Sequence, residues 1–190
     1  TGSTNISAAD VNNGSTDNCS IQVFNLSSNT FGCSDLGTNT ILFTAVDASG
    51  NSSTSNVEVT VIDTISPSIS TKTYTSYLAA NGMSTIEVIN VSSGTSNACS
   101  IDTVFLDKYN FNCSDVGVNT VTVTAQATGG SASNSATTTV TVVDTVNPVV
   151  ITQSLIIYLD AAGLATINTT MVNDASTDAC GINTCLLYTS

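Results

Sequence analysis

One stretch of the sequence, residues 13–51, decides the fold: NGSTDNCSIQVFNLSSNTFGCSDLGTNTILFTAVDASGN. It returns at residues 93–131 as SGTSNACSIDTVFLDKYNFNCSDVGVNTVTVTAQATGGS and begins again at residues 174–182 as DASTDACGI. The first two copies are offset by 80 residues. Self-similarity at a fixed period is the signature of a repeat architecture. We therefore expect a tandem array of small domains.

The period predicts three segments. Residues 1–66 are expected to be a repeat lacking its first strand, residues 67–147 a complete repeat, and residues 148–190 the N-terminal part of a third. The motif DTISP at 63–67 recurs as DTVNP at 144–148, next to each boundary. Proline fixes φ and lacks a backbone donor, so it favours a short, stiff, extended connection. The chain is expected to be a window on a longer array.

Alternating apolar residues predict β-strands, most clearly at 39–46, 56–62 and 119–127. Shorter strands are predicted at 21–26 and 101–106, and a hairpin turn at 47–51. The complete repeat contains about seven short strands separated by turn signals, without helical periodicity. This pattern predicts an all-β fold of tandem immunoglobulin-like β-sandwich repeats of about 80 residues, strung end to end.

The charge balance excludes several functions. The sequence has fourteen acidic residues but only two basic ones, Lys72 and Lys108, and it has no Arg or His. Nucleic-acid and anionic-membrane binding need cationic patches, so neither is expected. No apolar run is long enough to span a membrane, so we expect no membrane insertion. Without His or Arg the usual acid–base sets are missing, and we expect no enzyme activity.

The cysteines predict disulfides and an oxidising, extracellular location. Cys19 and Cys33 are 14 residues apart, as are Cys99 and Cys113. We expect each pair to close a short loop within its own copy, contributing about 3 kcal/mol. Cys180 corresponds to Cys99, and its partner would fall near position 194. The pairing of Cys185 is left open. No close Cys pairs typical of zinc sites are present.

Calcium is a hypothesis for the acidic turns. Asp10 and Asp17 flank one turn and are the candidate ligands, while Asp63 and Asp144 lie at the repeat boundaries. In the second copy Asn90 and Asn97 replace Asp10 and Asp17, which favours turn capping over a required ligand set. Otherwise we expect no cofactor.

The residues also carry a family resemblance. GTNTILFTAVDASGN at 37–51 resembles the G-x-x-x-V-x-x-x-A-x-D-x-x-G-N signature of HYR-type immunoglobulin-like domains. With NGSTDNCSI, TFGCSDLGTN and VTVVDTVNP, it is similar to the tandem repeats of very large Bacteroidota surface adhesins, including those of gliding motility. The resemblance implies a cell-surface adhesin or filament exported by the type IX route. In the second copy Ala127 and Ser131 replace Asp47 and Asn51, so a role of those two side chains is not general.

The resemblance also suggests O-glycans. Thr64, Thr103 and Thr145 each lie in an Asp-Thr-aliphatic sequence similar to the O-glycosylation motif of Bacteroidota. The alternative is that Asp-Thr before X-Pro is good turn chemistry.

The leading function is a non-catalytic structural segment of a long secreted adhesin or extracellular filament. Its expected partners are neighbouring repeats, other copies in a filament, and surface glycans, host or substratum through a distal tip. One alternative is a carbohydrate-binding or accessory module array of a secreted enzyme, which would need an exposed aromatic platform. The Phe residues mostly lie in core-like strand patterns instead. Another alternative is an S-layer or sheath subunit.

Overall fold

The computed structural model describes residues 2–129 and 132–188, and its regular structure is almost entirely β-strand. The predicted all-β class is confirmed. The strands β1–β13 are, in order, Ser3–Asn5, Ile21–Leu26, Thr30–Gly32, Gly37–Asp47, Ser52–Val61, Ser68–Thr71, Tyr74–Tyr77, Met83–Thr85, Ser92–Ser96, Ile101–Leu106, Asn110–Asn112, Gly117–Ala127 and Ser133–Val143. The single-turn helices α1–α3 are Ala8–Val11, Val88–Val91 and Thr169–Val172, and two 3-10 turns span Cys33–Asp35 and Cys113–Asp115.

The strands form two larger sheets and three strand pairs. The first large sheet has the order β2-β4-β5, and the second has the order β10-β12-β13-β7. Its β7–β13 pairing is parallel, with Tyr74 opposite Val140. The pairs are β1–β3, β6–β9 and β8–β11. Strands β4 and β5 are neighbours both in sequence and in a sheet, as are β12 and β13, whereas β2 and β3 enter different sheets.

The hairpin between β4 and β5 shows why this sequence turns where it does. Asp47 Oδ1 accepts hydrogen bonds from the backbone amides of Ser49 and Asn51, both at 2.8 Å. Gly50 supplies the positive φ (+86°) that the turn requires. The two strands then pair without interruption from Val46 opposite Ser52 to Gly37 opposite Val61. The predicted turn at 47–51 is confirmed.

Contacts divide the chain into two compact units that mix segments of the sequence copies. Unit 1 consists of Thr1–Thr71, Ser92–Phe105 and Val123–Ala136. Its buried apolar side chains are Phe31, Ile41, Phe43, Val123, Ala125 and Ala127. The odd-numbered residues of β12 in this unit are buried, as the alternation predicts.

Unit 2 consists of Lys72–Val91, Leu106–Thr122 and Thr137–Ser190. Its buried apolar side chains are Leu78, Ile86, Val91, Leu106, Phe111, Val121, Val140 and Val142. From residue 148 onward the pairing reduces to two isolated bridges, Val149 with Thr177 and Thr152 with Asn173. Since the two units do not follow the sequence boundaries at 66 and 147, the three-segment division stays a prediction.

Two predicted strands end early in helical turns. The sequence predicts strands at 4–9 and 84–91, but β1 and β8 are followed by α1 and α2. Asp10 accepts hydrogen bonds from the Ser7 amide and hydroxyl, and Asn90 accepts one from the Glu87 amide at 2.7 Å. These side chains cap the first turn of each helix, which local alternation does not reveal. Throughout the described residues, the helices are too short to cross a bilayer.

Candidate functional site

Two disulfide-containing junctions are the best-defined polar features of the chain. The first junction comprises residues 63–67, the loop 97–100 and Cys33, and the second comprises residues 144–148, the loop 178–181 and Cys113. Cys33 is bonded to Cys99, 66 residues away, with a Cα–Cα distance of 4.9 Å. Cys113 is bonded to Cys180, 67 residues away, with a Cα–Cα distance of 5.0 Å. Each disulfide therefore connects one sequence copy to the next.

The predicted pairing within each copy is wrong. Cys19 and Cys185 are free and exposed, and the partner of Cys180 is Cys113 instead of a residue near position 194. The reason lies in the sheets. Strand β2, which follows Cys19, pairs with β4, whereas β3, which precedes Cys33, pairs with β1. No strand pairing brings Cys19 and Cys33 together.

Spacing alone could not distinguish the two schemes. Pairing within copies and pairing between copies both repeat at the same period, and each forms two bonds and leaves two cysteines over. The sequence identified the residues Cys33, Cys99 and Cys113 as disulfide-forming but not their partners. The larger loops should raise the free energy of unfolding more than short loops would, because the entropy lost by the unfolded chain grows with loop length.

The calcium candidates Asp10 and Asp17 cap backbone turns. Asp17 Oδ1 accepts hydrogen bonds from the amides of Cys19 at 2.8 Å and Ser20 at 3.1 Å, and these bonds hold the pKa of Asp17 below its usual value. The Ser7 amide, followed by its hydroxyl, lowers the pKa of Asp10 in the same way. Neither aspartate belongs to the cluster of three potential metal ligands found in the described part of the chain.

The first junction is organised by a buried carboxylate. Asp63 is 5% exposed, and its Oδ1 accepts a hydrogen bond from the Ile65 amide at 2.9 Å. Its Oδ2 accepts a hydrogen bond from Asn97 Nδ2, also at 2.9 Å. The same Asn97 amide donates to the Ser100 carbonyl at 3.2 Å. Asn97 therefore ties residues 63–67 to the loop that carries Cys99.

The second junction has the same backbone but a different side chain. Asp144 Oδ1 accepts a hydrogen bond from the Val146 amide at 3.0 Å, as Asp63 does from Ile65. The position of Asn97 is taken by Asp178, whose Oδ1 accepts a hydrogen bond from the Cys180 amide at 2.8 Å. Its Oδ2 is buried without a hydrogen-bond partner in the structure. The sequence analysis placed Asn97 at a turn but missed its hydrogen bond to Asp63, and it missed Asp178 altogether, although the constant offset of two residues from the cysteine was a usable signal.

The glycosylation candidates are accessible. Thr64, Thr103 and Thr145 are all exposed. Thr64 and Thr145 lie in the two junctions, whereas Thr103 lies in β10 at the edge of its sheet. Their modification stays a prediction.

The signature residues Asp47 and Asn51 close the β4–β5 turn. Asp47 Oδ2 accepts a hydrogen bond from Asn51 Nδ2 at 2.8 Å, and this bond is the main cause of the lowered pKa of Asp47. Ala127 occupies the position of Asp47 in the second copy, at the end of β12, and Ser131 lies outside the described residues. Apart from Lys72 and Lys108, the polar side chains of the sequence are mainly carboxylates, amides and hydroxyls, which suit hydrogen bonding and hard cations.

The phenylalanine side chains are mostly internal. Phe31, Phe43 and Phe111 are buried, and Phe24 stacks on Phe43 with ring centroids 5.2 Å apart. Phe105 is 45% exposed, so its predicted core position is wrong. Tyr77, Tyr109, Tyr158 and Tyr188 are exposed as well, so the carbohydrate-binding alternative stays a prediction.

No family model and no curated protein matches the chain. Among solved structures, the extracellular domain of protocadherin gamma B4 matches with a TM-score of 0.34 and 17% identity, over 72% of this chain and 29% of that chain. Cadherin domains 1–4 of protocadherin gamma B7 match with a TM-score of 0.29 and 18% identity, over 72% and 45%. An endo-fucoidan hydrolase of glycoside hydrolase family 107 matches with a TM-score of 0.28 and 13% identity, over 65% and 24%. The chain spans less than a third of the first structure, and similarities this low carry no argument about function.

Proposed function

We propose that the chain is a structural segment of a long, secreted, cell-surface adhesin or extracellular filament, and that it is not catalytic. Its role is to extend the molecule and transmit tension between neighbouring repeats. The all-β fold and the disulfides support this proposal, since disulfides persist in oxidising compartments. The resemblance of residues 37–51 to HYR-type domains of Bacteroidota adhesins points in the same direction.

One observation carries the proposal: each disulfide connects a sequence copy to the next. Tension applied at the two ends of the chain passes through Cys33–Cys99 and Cys113–Cys180, so the residues inside the two loops do not bear it. A short loop within one copy would protect far fewer residues. A chain braced in this way resists extension even if one of its sheets opens.

The first junction supports a stiff connection as well. Pro67 is buried, and its carbonyl accepts a hydrogen bond from Asn134 Nδ2 at 2.9 Å. Together with the hydrogen bond between Asn97 and Asp63, this contact fixes residues 63–67 at both ends. A fixed extended segment suits a filament better than a flexible tether does.

Single-molecule force spectroscopy on the 190-residue chain tests the mechanical claim. Reduction should release the 66- and 67-residue separations and lengthen the stretched chain by about 440 Å at roughly 3.3–3.6 Å per residue. Two loops of 14 residues would add only about 95 Å. A gain near the smaller value would contradict the bracing, and a Cys19→Ser, Cys185→Ser chain serves as the control because it keeps both disulfides.

Surface labelling tests the location. An antibody raised against the chain should label intact cells of the source organism and decorate threads in electron micrographs. Labelling only after permeabilisation would contradict the extracellular assignment. Decoration of a two-dimensional lattice would favour an S-layer or sheath subunit, and specific binding on a glycan array would favour a carbohydrate-binding module.

A further inference from the structure

The second junction contains a pair of carboxylates that no protein cation neutralises. One carboxylate oxygen of Asp144, one of Asp178 and the Cys180 sulfur lie within 4.8 Å of one another, and all three residues are partly buried. The chain has only two lysines and no Arg or His. Across residues 2–129 and 132–188, the ion pair that forms is Lys108 with Asp115. Neither Asp144 nor Asp178 therefore has a lysine partner among the described residues.

Asp178 Oδ2 is the oxygen of the pair that is buried without a partner. Asp178 Oδ1 is occupied by the Cys180 amide and Asp144 Oδ1 by the Val146 amide, whereas Asp178 Oδ2 is buried without a partner in the structure. A buried ionised oxygen without a hydrogen bond or counter-ion is strongly disfavoured.

The first junction shows what the same position does when the charge is absent. Asn97 stands where Asp178 stands, and its Nδ2 donates to Asp63 Oδ2 at 2.9 Å. There the side-chain amide donates the hydrogen bond that the carboxylate oxygen accepts. In the second junction an acceptor replaces that donor, so two acceptors meet and the hydrogen bond cannot form. A cation between them would restore the link.

We propose that Asp144 and Asp178 bind a calcium ion. The donor set is hard, because Cys180 is bonded to Cys113 and its sulfur is not a thiolate, which leaves carboxylate and neighbouring oxygens. A cleft of about 340 Å³ opens beside Asp178 and is also lined by Asn147 and Thr177, whose side-chain oxygens are further candidate ligands. Two carboxylates with water suit the weak calcium affinities of extracellular modules, with a Kd on the order of 10⁻⁴ to 10⁻³ M.

Calorimetric titration of the intact, oxidised 190-residue chain with CaCl2, at fixed ionic strength, tests the proposal. The wild-type chain should bind calcium in this range, and its Tm should rise in 10 mM CaCl2. Asp178→Asn should abolish this binding and the Tm rise. It should also melt no lower than wild type in EDTA, because its amide can donate to Asp144 as Asn97 does to Asp63.

Three further variants make the test decisive. Asp174→Asn removes the same charge from an exposed residue nearby, so it should leave binding unchanged and controls for diffuse attraction to an acidic chain. Asp144→Asn should abolish binding from the other side of the pair. Asn97→Asp should add a second calcium to the stoichiometry by recreating the carboxylate pair at the first junction.

The proposal is overturned if wild type shows no calcium heat up to 10 mM. It is equally overturned if Asp178→Asn binds calcium as wild type does. These outcomes leave the disulfide-braced array untouched, because neither disulfide depends on the ion.

Discussion

The two junctions share their backbone and their disulfide but differ at one polar position. Cys33–Cys99 and Cys113–Cys180 have nearly equal loop lengths, and Asp63 and Asp144 each accept a hydrogen bond from the amide two residues on. Asn97 completes the first junction through a hydrogen bond, whereas Asp178 leaves the second with an unpaired buried oxygen. The disulfide thus links the copies in both junctions. The side chain two residues before its second cysteine determines whether the polar groups there are paired within the chain.

Removing either disulfide should have the largest effect. The chain-entropy model assigns about 4 kcal/mol to a loop of this length, so Cys33→Ser/Cys99→Ser and Cys113→Ser/Cys180→Ser should each lose about that much free energy of unfolding. Urea denaturation of each double variant measures the loss. The two losses should be similar, because the separations are 66 and 67 residues.

The matched control is Cys19→Ser, since Cys19 is free and exposed and its substitution should leave the urea midpoint unchanged. Peptide mapping of the oxidised chain checks the pairing directly. A peptide linking Cys19 to Cys33, or destabilisation by Cys19→Ser equal to that of Cys33→Ser, would refute the bonds between copies.

The next largest effect should come from Asn97→Ala. Its loss leaves Asp63 Oδ2 buried without its amide donor, which typically costs about 1–3 kcal/mol. The corresponding Asp178→Ala substitution, measured in EDTA, should cost less, because the loss of the hydrogen bond from the Cys180 amide is offset by removal of an acceptor oxygen that lacks a partner. Thermal melts of both variants give the comparison. Equal losses at the two positions would contradict the difference between the junctions.

The sequence predicted the strands better than the site. Residues 21–26 and 101–106 match β2 and β10 because their strand pattern and flanking turns are local signals. The partner of Cys33 is a tertiary property: it depends on β3 pairing with β1 while β2 pairs with β4, and both pairing schemes fit the same spacing. Likewise, the roles of Asn97 and Asp178 arise only where residues far apart in sequence meet.

The smallest predicted effect concerns the 3-10 turns that carry Cys33 and Cys113. Asp35 Oδ2 accepts a hydrogen bond from the Gly32 amide, and Asp115 Oδ2 accepts one from the Asn112 amide. Only Asp115 also pairs with a lysine, since Ser28 stands in the first copy where the second has Lys108.

Lys108→Ser should therefore lower the urea midpoint slightly at pH 6, and less than Asn97→Ala does. The hydrogen bond from Lys108, followed by that from the Asn112 amide, holds the pKa of Asp115 below its usual value of 3.8. A carboxyl whose folded pKa is depressed stabilises the fold above its unfolded pKa and loses that contribution as pH falls through the folded value. The difference between wild type and Lys108→Ser should thus be constant from pH 5 to 8 and shrink below about pH 4. Lys108 Nζ also lies 4.8 Å from the Phe111 ring centroid, and this contact does not depend on Asp115. Part of the difference in urea midpoint should therefore persist in acid. A difference that does not change between pH 6 and pH 2 would show that the ring contact, and not the ion pair, is what distinguishes the two turns.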